Sequence, residues 1–338
     1  KEKQQIKGNK VMIATGSESM PLPSVPVDGK KILFSEHALS LRTVPKRLIV
    51  IGGGGIGVEI GSVFGRLGSK VTIIEFMDRL IPTMDKQLGK SLQKSLGKME
   101  FTFHLSTKVT GAAVKKNSVV VSAETVDGKS VSVEGDIVLV SIGRRPYTDA
   151  LGLDTIGLNT DERGRVAINE TFQTSIPHIY AIGDVIKGAM LAHKASEEAV
   201  VCVETMMGEK PHINYDAIPN VVYTWPEVAS VGKTEEMLKE QGIVYKTGSF
   251  PFKASGRARA AEESDGFIKV LADAESDEVL GIHMIGPRAA DMISAAMVAY
   301  EYRASAEDLG MMPFAHPTFM ENLKEAALMA TNNRAIHI

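Results

Sequence analysis

One stretch constrains this chain more than any other: Gly52-Gly53-Gly54-Gly55-Ile56-Gly57, which satisfies G-x-G-x-x-G. Before it stands RLIVIG, a continuous apolar run of the kind expected for a strand buried on both faces. After it, Ile56, Ile60, Val63, Phe64 and Leu67 recur at helical spacing, and Gly68 sits where a helix C-terminal glycine belongs. KVTIIE then reads as a second strand ending on Glu75, eighteen residues beyond Gly57. Strand, glycine turn, helix and strand in this order predict a parallel unit with a right-handed crossover and a dinucleotide at its turn. Gly52 permits the tight turn, Gly54 lets backbone approach a pyrophosphate, and Gly57 lets the helix pack on the sheet. The N–H groups at the helix start favour phosphate. Glu75 can accept hydrogen bonds from a ribose diol and repels a 2′-phosphate, so the motif reads as an NAD site rather than an NADP site. The competing readings are a packing turn for the glycines and a solvated strand end for Glu75.

Three regions separate along the 338 residues. The first, to about Thr43, holds the strand Val11–Ala14, a Pro-rich loop, and Ser35 as an N-cap to a short helix. The second, Pro45 to Gly143, continues past Glu75 with an amphipathic helix in MDKQLGKSLQKSL and a strand in MEFTFHL. A hairpin about Asp127-Gly128 and the buried strand DIVLVSIG close it. In the third, IYAIGDV and a helix from His193 to Met207 precede a linker, Pro211 to Asn220. Less regular strands and helices beyond that linker suggest an α+β domain with an antiparallel sheet. The net charge of −3 argues against a broad nucleic-acid-binding face. The longest apolar run, Ile137–Ile142, is far short of the ~18 residues of a membrane span. A single cysteine, Cys202, excludes a disulfide framework and a cysteine-ligated metal, and its apolar helical setting reads as a structural thiol.

The chain resembles the pyridine nucleotide–disulfide oxidoreductases of class I, most closely the branch that oxidises dihydrolipoamide. The motifs that carry this are ATGS (Ala14–Ser17), GGGGIGVE (Gly52–Glu59), SIGRRP (Ser141–Pro146), IYAIGDV (Ile179–Val185), MLAHKA (Met190–Ala195), PEVASVG (Pro226–Gly232), FPFKASGRA (Phe250–Ala258) and HPTFMENLKEA (His316–Ala326). They stand in the family's order over nearly the whole sequence. The resemblance implies an α/β chain: a Rossmann-like NAD domain (45–145) inserted in an incomplete Rossmann-like FAD domain (1–44 and 146–211). An α+β interface domain (212–338) that makes a two-fold homodimer would follow. FAD and NAD would be the cofactors. The substrate would be a lipoylated acyltransferase or carrier protein of the 2-oxoacid dehydrogenase and glycine cleavage complexes. The setting would be bacterial cytoplasm or mitochondrial matrix.

The remaining site residues follow residue by residue. Asp184, at a strand end, can accept a hydrogen bond from a sugar-alcohol hydroxyl; the family uses it on the flavin's ribityl chain. Met190, Leu191, Ala192 and His193 open a helix whose N–H groups and dipole would stabilise negative charge on a reduced flavin. The His193 backbone is expected to matter more than its ring. Gly143 maps to a cofactor contact, and Glu59 maps near the nicotinamide or else lies on a solvated helix face. Arg144 and Arg145 pair either with phosphate or with neighbouring carboxylates. His316, with Pro317, Thr318 and Glu321, matches His-Pro-Thr-x-x-Glu. The imidazole exchanges protons near neutral pH, and the carboxylate fixes its tautomer. The resemblance assigns this pair to proton transfer from dithiol at the opposite subunit's disulfide. Thr318 and Glu321 also form a capping-box pattern, and the two roles are compatible.

The family's first flavin-binding G-x-G-x-x-G and its paired cysteines do not occur in this sequence, and its opening, KEKQQIKGNK before a strand, reads as an internal start. The expectation is a family member represented without its N-terminal part, inactive alone for want of a sulfur pair. Two alternatives are a dimerising NAD-binding module without catalysis and a glutathione reductase-like enzyme. The latter needs cations where Glu75-Phe76-Met77 stands. An apolar stripe, Met292, Ile293, Ala296, Met297 and Tyr300, is expected to face either the sheet or a partner.

Overall fold

The computed structural model describes residues 4–149 and 151–337. The chain forms two compact units, Lys1–Met20 with Gly143–Asn214, and Pro21–Ile142 with Tyr215–Ile338. In the first, β1 (Val11–Ile13) pairs in parallel with β12 (Ile179–Ala181). A two-stranded ribbon joins β2 (Ser17–Ser19) antiparallel to β11 (Arg144–Pro146). Helix α4 (Ala192–Met206) packs on the single turn Gly183–Val185 that leaves β12. Ile13, Leu153, Ile179, Ile182, Ile186 and Cys202 form this unit's core.

The second unit contains the glycine-rich element. Its parallel sheet has the order β3-β10-β4-β5-β6. The strands are β3 (Ile32–Leu33), β10 (Ile137–Val140), β4 (Arg47–Ile51), β5 (Lys70–Ile74) and β6 (Thr102–His104). Helices α2 (Gly55–Arg66) and α3 (Lys86–Lys98) make the crossovers, as the apolar periodicity predicts. The segment 21–44, grouped by sequence with the first domain, lies in this unit. Its strand β3 joins β10, and the short helix α1 (Ser35–Ala38) buries Ala38 beside Leu33 and Leu48. Two apolar residues in a row between polar loops give no periodicity, which is why β3 escapes a pattern reading. Ser35 is the first helical residue rather than the N-cap. Phe34 holds that place, and its N–H is taken by Nδ1 of His37 at 3.2 Å.

A meander of β7 (Thr107–Val114), β8 (Val119–Thr125) and β9 (Ser130–Gly135) carries the expected hairpin, with Gly128 at φ +79°. β7 was not legible, because Gly111-Ala112-Ala113 offers no alternation. The rest of the unit is an antiparallel sheet, β13-β14-β17-β16-β15. Its strands are β13 (Asn220–Val222), β14 (Glu227–Gly232), β15 (Tyr245–Pro251), β16 (Phe267–Asp273) and β17 (Val279–Gly286). Helices α5 (Glu235–Glu240), α6 (Gly256–Ala260), α7 (Ala289–Glu301), α8 (Ala306–Met311) and α9 (Glu321–Asn332) accompany it. Met292, Ile293 and Ala296 of α7 are buried against this sheet. The stripe expected to face either sheet or partner therefore covers the chain's own strands. Each fully buried side chain of that size contributes about 1.5–3 kcal/mol. Among the described residues no helix is long and apolar enough to cross a membrane.

Candidate functional site

The glycine loop requires its glycines for different reasons. Gly52 leaves β4 at φ +104°, and a Cβ there would lie 2.4 Å from the Ser141 carbonyl oxygen. At Gly57 a Cβ would lie 2.1 Å from the Gly52 oxygen, so the first turn of α2 sits directly on the strand end. A Cβ at Gly53, a position the motif leaves open, would lie 2.8 Å from Leu80 Cδ2. Gly54 differs: nothing lies within 4 Å of where its Cβ would be. The fold does not demand glycine there; the space it leaves fits a close-approaching diphosphate. Gly54 caps α2 without a side chain, and the first turn carries no acid to compete for an anion.

Glu75 is buried, and both carboxylate oxygens are engaged. Oε2 accepts the Gly53 N–H at 2.5 Å, and Oε1 accepts the Met77 N–H at 2.7 Å. The solvated strand end is thus ruled out for this side chain, which braces the glycine loop. A carboxylate offers about four acceptor positions, so two remain for a diol. Glu59 is half-buried, and its Oε1 accepts the Tyr223 N–H at 2.8 Å. Burial raises its carboxyl above the ordinary range against that hydrogen bond. The side chain is therefore not on a freely solvated face. Val63 and Leu67, read from spacing as part of the buried stripe, are about half exposed. With Leu39, Val44 and Tyr223 they wall an apolar cleft of about 400 Å³.

In the first unit Asp184 follows Gly183, which has φ +74°. The Ser17 hydroxyl donates to Asp184 Oδ2 and accepts from Arg144 Nε at 2.7 Å. Arg144 also donates to the Ser17 carbonyl. Arg145 pairs with Glu18 and Asp149. Both arginines therefore serve neighbouring protein groups. Gly143, at φ +133°, has open space at its Cβ position and accepts the Met20 N–H at 3.0 Å. Leu191 is the N-cap of α4 with no side-chain cap bond, Ala192 and His193 are exposed, and Met190 is half-buried. These backbone donors, the partly buried Asp184 and the open Gly143 form a polar rim compatible with part of a flavin site.

His316 and Glu321 meet as the motif predicts. His316 Nδ1 lies 2.8 Å from Glu321 Oε1, and Oε2 accepts the Thr318 N–H at 2.8 Å. The ring is 75% exposed. Burial works to raise the Glu321 carboxyl, but the Thr318 N–H and the His316 ring outweigh it and hold it below the usual range. Only half of a capping box is present. The Thr318 hydroxyl turns to the Ala315 carbonyl, and α9 starts at Glu321. One carboxylate thus both orients the ring and ties the preceding turn.

Sequence reasoning missed two charged clusters. Lys194 and Glu198 form a buried i,i+4 pair on α4, legible only as K-x-x-x-E on a helix. Lys269, buried on β16, bridges Asp85 at 2.7 Å and Glu235 at 3.1 Å. Lys239 chiefly, helped by Tyr245 and Lys269 against burial, brings the Glu235 carboxyl down to about 2. His283, fully buried nearby, is pushed toward its neutral form by burial, with Nε2 on the Lys233 carbonyl. Cys202 is fully buried, and burial pushes its thiol up, as expected of a structural cysteine. No group of three or more potential metal ligands occurs among the described residues.

Comparison with known proteins gives concordant findings. Residues 1–199 match the family model described as pyridine nucleotide-disulphide oxidoreductase, and residues 218–327 match the dimerisation domain of that family. The mitochondrial dihydrolipoyl dehydrogenase of Pisum sativum is 49% identical over 334 residues, 98% of this chain and 66% of the pea protein. Dihydrolipoyl dehydrogenase 3 of Pseudomonas putida is 50% identical, covering 96% of this chain and 69% of that one. LpdA from Mycobacterium tuberculosis superimposes with a TM-score of 0.86 at 26% identity, over 94% of this chain and 69% of that chain. The chain thus spans just under two thirds of the length of the pea relative.

Proposed function

The chain belongs to the pyridine nucleotide-disulphide oxidoreductases, and on that premise we propose that it carries the nucleotide-binding and proton-transfer parts of a dihydrolipoamide:NAD⁺ oxidoreductase. The observation that carries this reading is the pairing of a braced NAD-type loop at Glu75 with an exposed, carboxylate-oriented imidazole at His316. The reaction removes two electrons and two protons from a dithiol, yielding a disulfide, NADH and one proton. Glu75 and the Gly52–Gly57 loop bind the adenosine end of NAD, with Glu59 near its nicotinamide end. Asp184, Gly143 and the Met190–His193 turn hold FAD, which when bound supplies electron transfer between sulfur and nicotinamide. His316 takes a thiol proton on Nε2, and Glu321 fixes the proton on Nδ1 and stabilises the cation. Residues 45–145 form the NAD domain and 212–338 the interface domain of a homodimer. The flavin residues come from 1–44 and 146–211.

The two named relatives are dihydrolipoyl dehydrogenases, one mitochondrial and one bacterial. That supports a lipoylated carrier as substrate, and work in the mitochondrial matrix or the bacterial cytoplasm. The cysteine pair that would accept the dithiol's electrons is not among these 338 residues, since Cys202 is their only cysteine. The test is calorimetric titration of the chain with NADH, NADPH and FAD, together with sedimentation. Tight NADH binding by a dimer supports the reading; a monomer indifferent to both nucleotides refutes it.

A further inference from the structure

Lys194 and Glu198 carry charge that solvent does not reach: both side chains are 0% exposed, one helical turn apart on α4, and paired at 2.9 Å. Each also holds a backbone group of the same residue. Glu198 Oε2 accepts the Gly183 N–H at 2.7 Å, and Lys194 Nζ donates to the Gly183 carbonyl at 3.1 Å. The two peptide units that flank Gly183 are therefore gripped from one side by a single ion pair.

The grip matters because of what Gly183 does. Its φ of +74° lies in the left-handed region, and a Cβ there would come within 3.3 Å of Ala195 Cβ. Its carbonyl carbon is bonded to the nitrogen of Asp184, so fixing that peptide fixes the direction of the Asp184 side chain. From the other side Ser17, itself held by Arg144, bonds the Asp184 carboxylate. A buried ion pair adds little net stability over apolar residues of the same volume. What apolar residues cannot supply is an acceptor and a donor for the two Gly183 peptides.

We propose that Lys194 and Glu198 are positioning residues that hold Gly183 in its left-handed conformation and so aim the Asp184 carboxylate at a ligand polyol hydroxyl. The inference rests on the flavin reading of the Asp184 site. It predicts that removing the acceptor, not the charge, is what disorders the site.

The experiment compares K194M/E198L with K194M/E198Q in the full chain. Both lack the buried charges, but only the glutamine keeps an acceptor for the Gly183 N–H. Hydrogen exchange at the Gly183 amide is measured without ligand, and FAD affinity by flavin fluorescence. In K194M/E198L the amide exchanges, and FAD dissociates, about tenfold more readily than in the wild type. K194M/E198Q stays within about threefold of wild type on both measures, because a neutral acceptor keeps roughly half the bond. E197Q, which removes an exposed charge from the same helix, changes neither. If the leucine prevents folding, K194M/E198A carries the same expectation. Wild-type exchange at Gly183 in K194M/E198L overturns the proposal, as does equal loss in the leucine and glutamine variants. Failure of the wild-type chain to bind FAD refutes the flavin reading; the exchange comparison still decides whether the pair clamps Gly183.

Discussion

Replacing Glu75 by Gln separates two jobs that one carboxylate performs. Its oxygens accept the Gly53 N–H at 2.5 Å and the Met77 N–H at 2.7 Å in a buried setting. Gln offers one oxygen, so one of those donors faces an amide NH₂ and goes unsatisfied, at a cost of about 1–3 kcal/mol. The bond that survives falls from charge-assisted to neutral and loses roughly half its strength. Together the loop should lose about 2–4 kcal/mol of stability. The second job is discrimination. A 2′-phosphate about 4 Å from the carboxylate would be repelled by about 4 kcal/mol per unit charge at an effective dielectric of 20. With relaxation and screening, a preference for NADH over NADPH of at least about a hundredfold remains. In Glu75→Gln the repulsion disappears, and the preference should shrink to within about tenfold, while NADH itself binds about tenfold more weakly. Calorimetric titration with both nucleotides, beside urea unfolding, reads all three quantities. Equal affinity of the wild type for NADH and NADPH would refute the role assigned to Glu75. A Glu75→Gln chain as stable as the wild type would refute the bracing argument.

Further expectations follow from the same geometry. Gly57→Ala places a Cβ 2.1 Å from the Gly52 oxygen; α2 must lift from the strand, and NADH binding should fall below detection by calorimetry although far-UV dichroism persists. Lys269→Met leaves Asp85 buried without its partner, and urea unfolding should show a loss of about 3–5 kcal/mol. The Glu321 carboxyl is held below its ordinary range, so its contribution to stability is complete above the unfolded value and is lost as pH falls through the folded one. The stability gap between wild type and Glu321→Gln should therefore be constant near neutrality and close only below about pH 4.5, as read by unfolding curves across pH. The 338 residues with added FAD should form no NADH from dihydrolipoamide, since their one thiol is buried; turnover in that assay would mean that the electron path has been misread.

The sequence by itself determined the parallel nucleotide unit, because a buried strand, a glycine turn and a 3.6-residue period each restrict the backbone locally and agree with one another. It also determined that His316 and Glu321 belong together, since five residues of chain about a proline leave the two side chains little choice but to meet. Tertiary structure decided what depends on approach from afar. Glu59 could be an open helix position or a buried one, and the Tyr223 backbone, 164 residues away, settled its burial. Arg144 and Arg145 could serve a phosphate or a neighbour, and the pairing of β2 with β11 gave them Ser17, Glu18 and Asp149. The α7 stripe could cover a sheet or a partner, and β14 and β17 took it. The Lys194–Glu198 grip on Gly183 was the least legible. A charged pair on a helix has the same local pattern in water and in a core, and only the turn packed above it makes it buried.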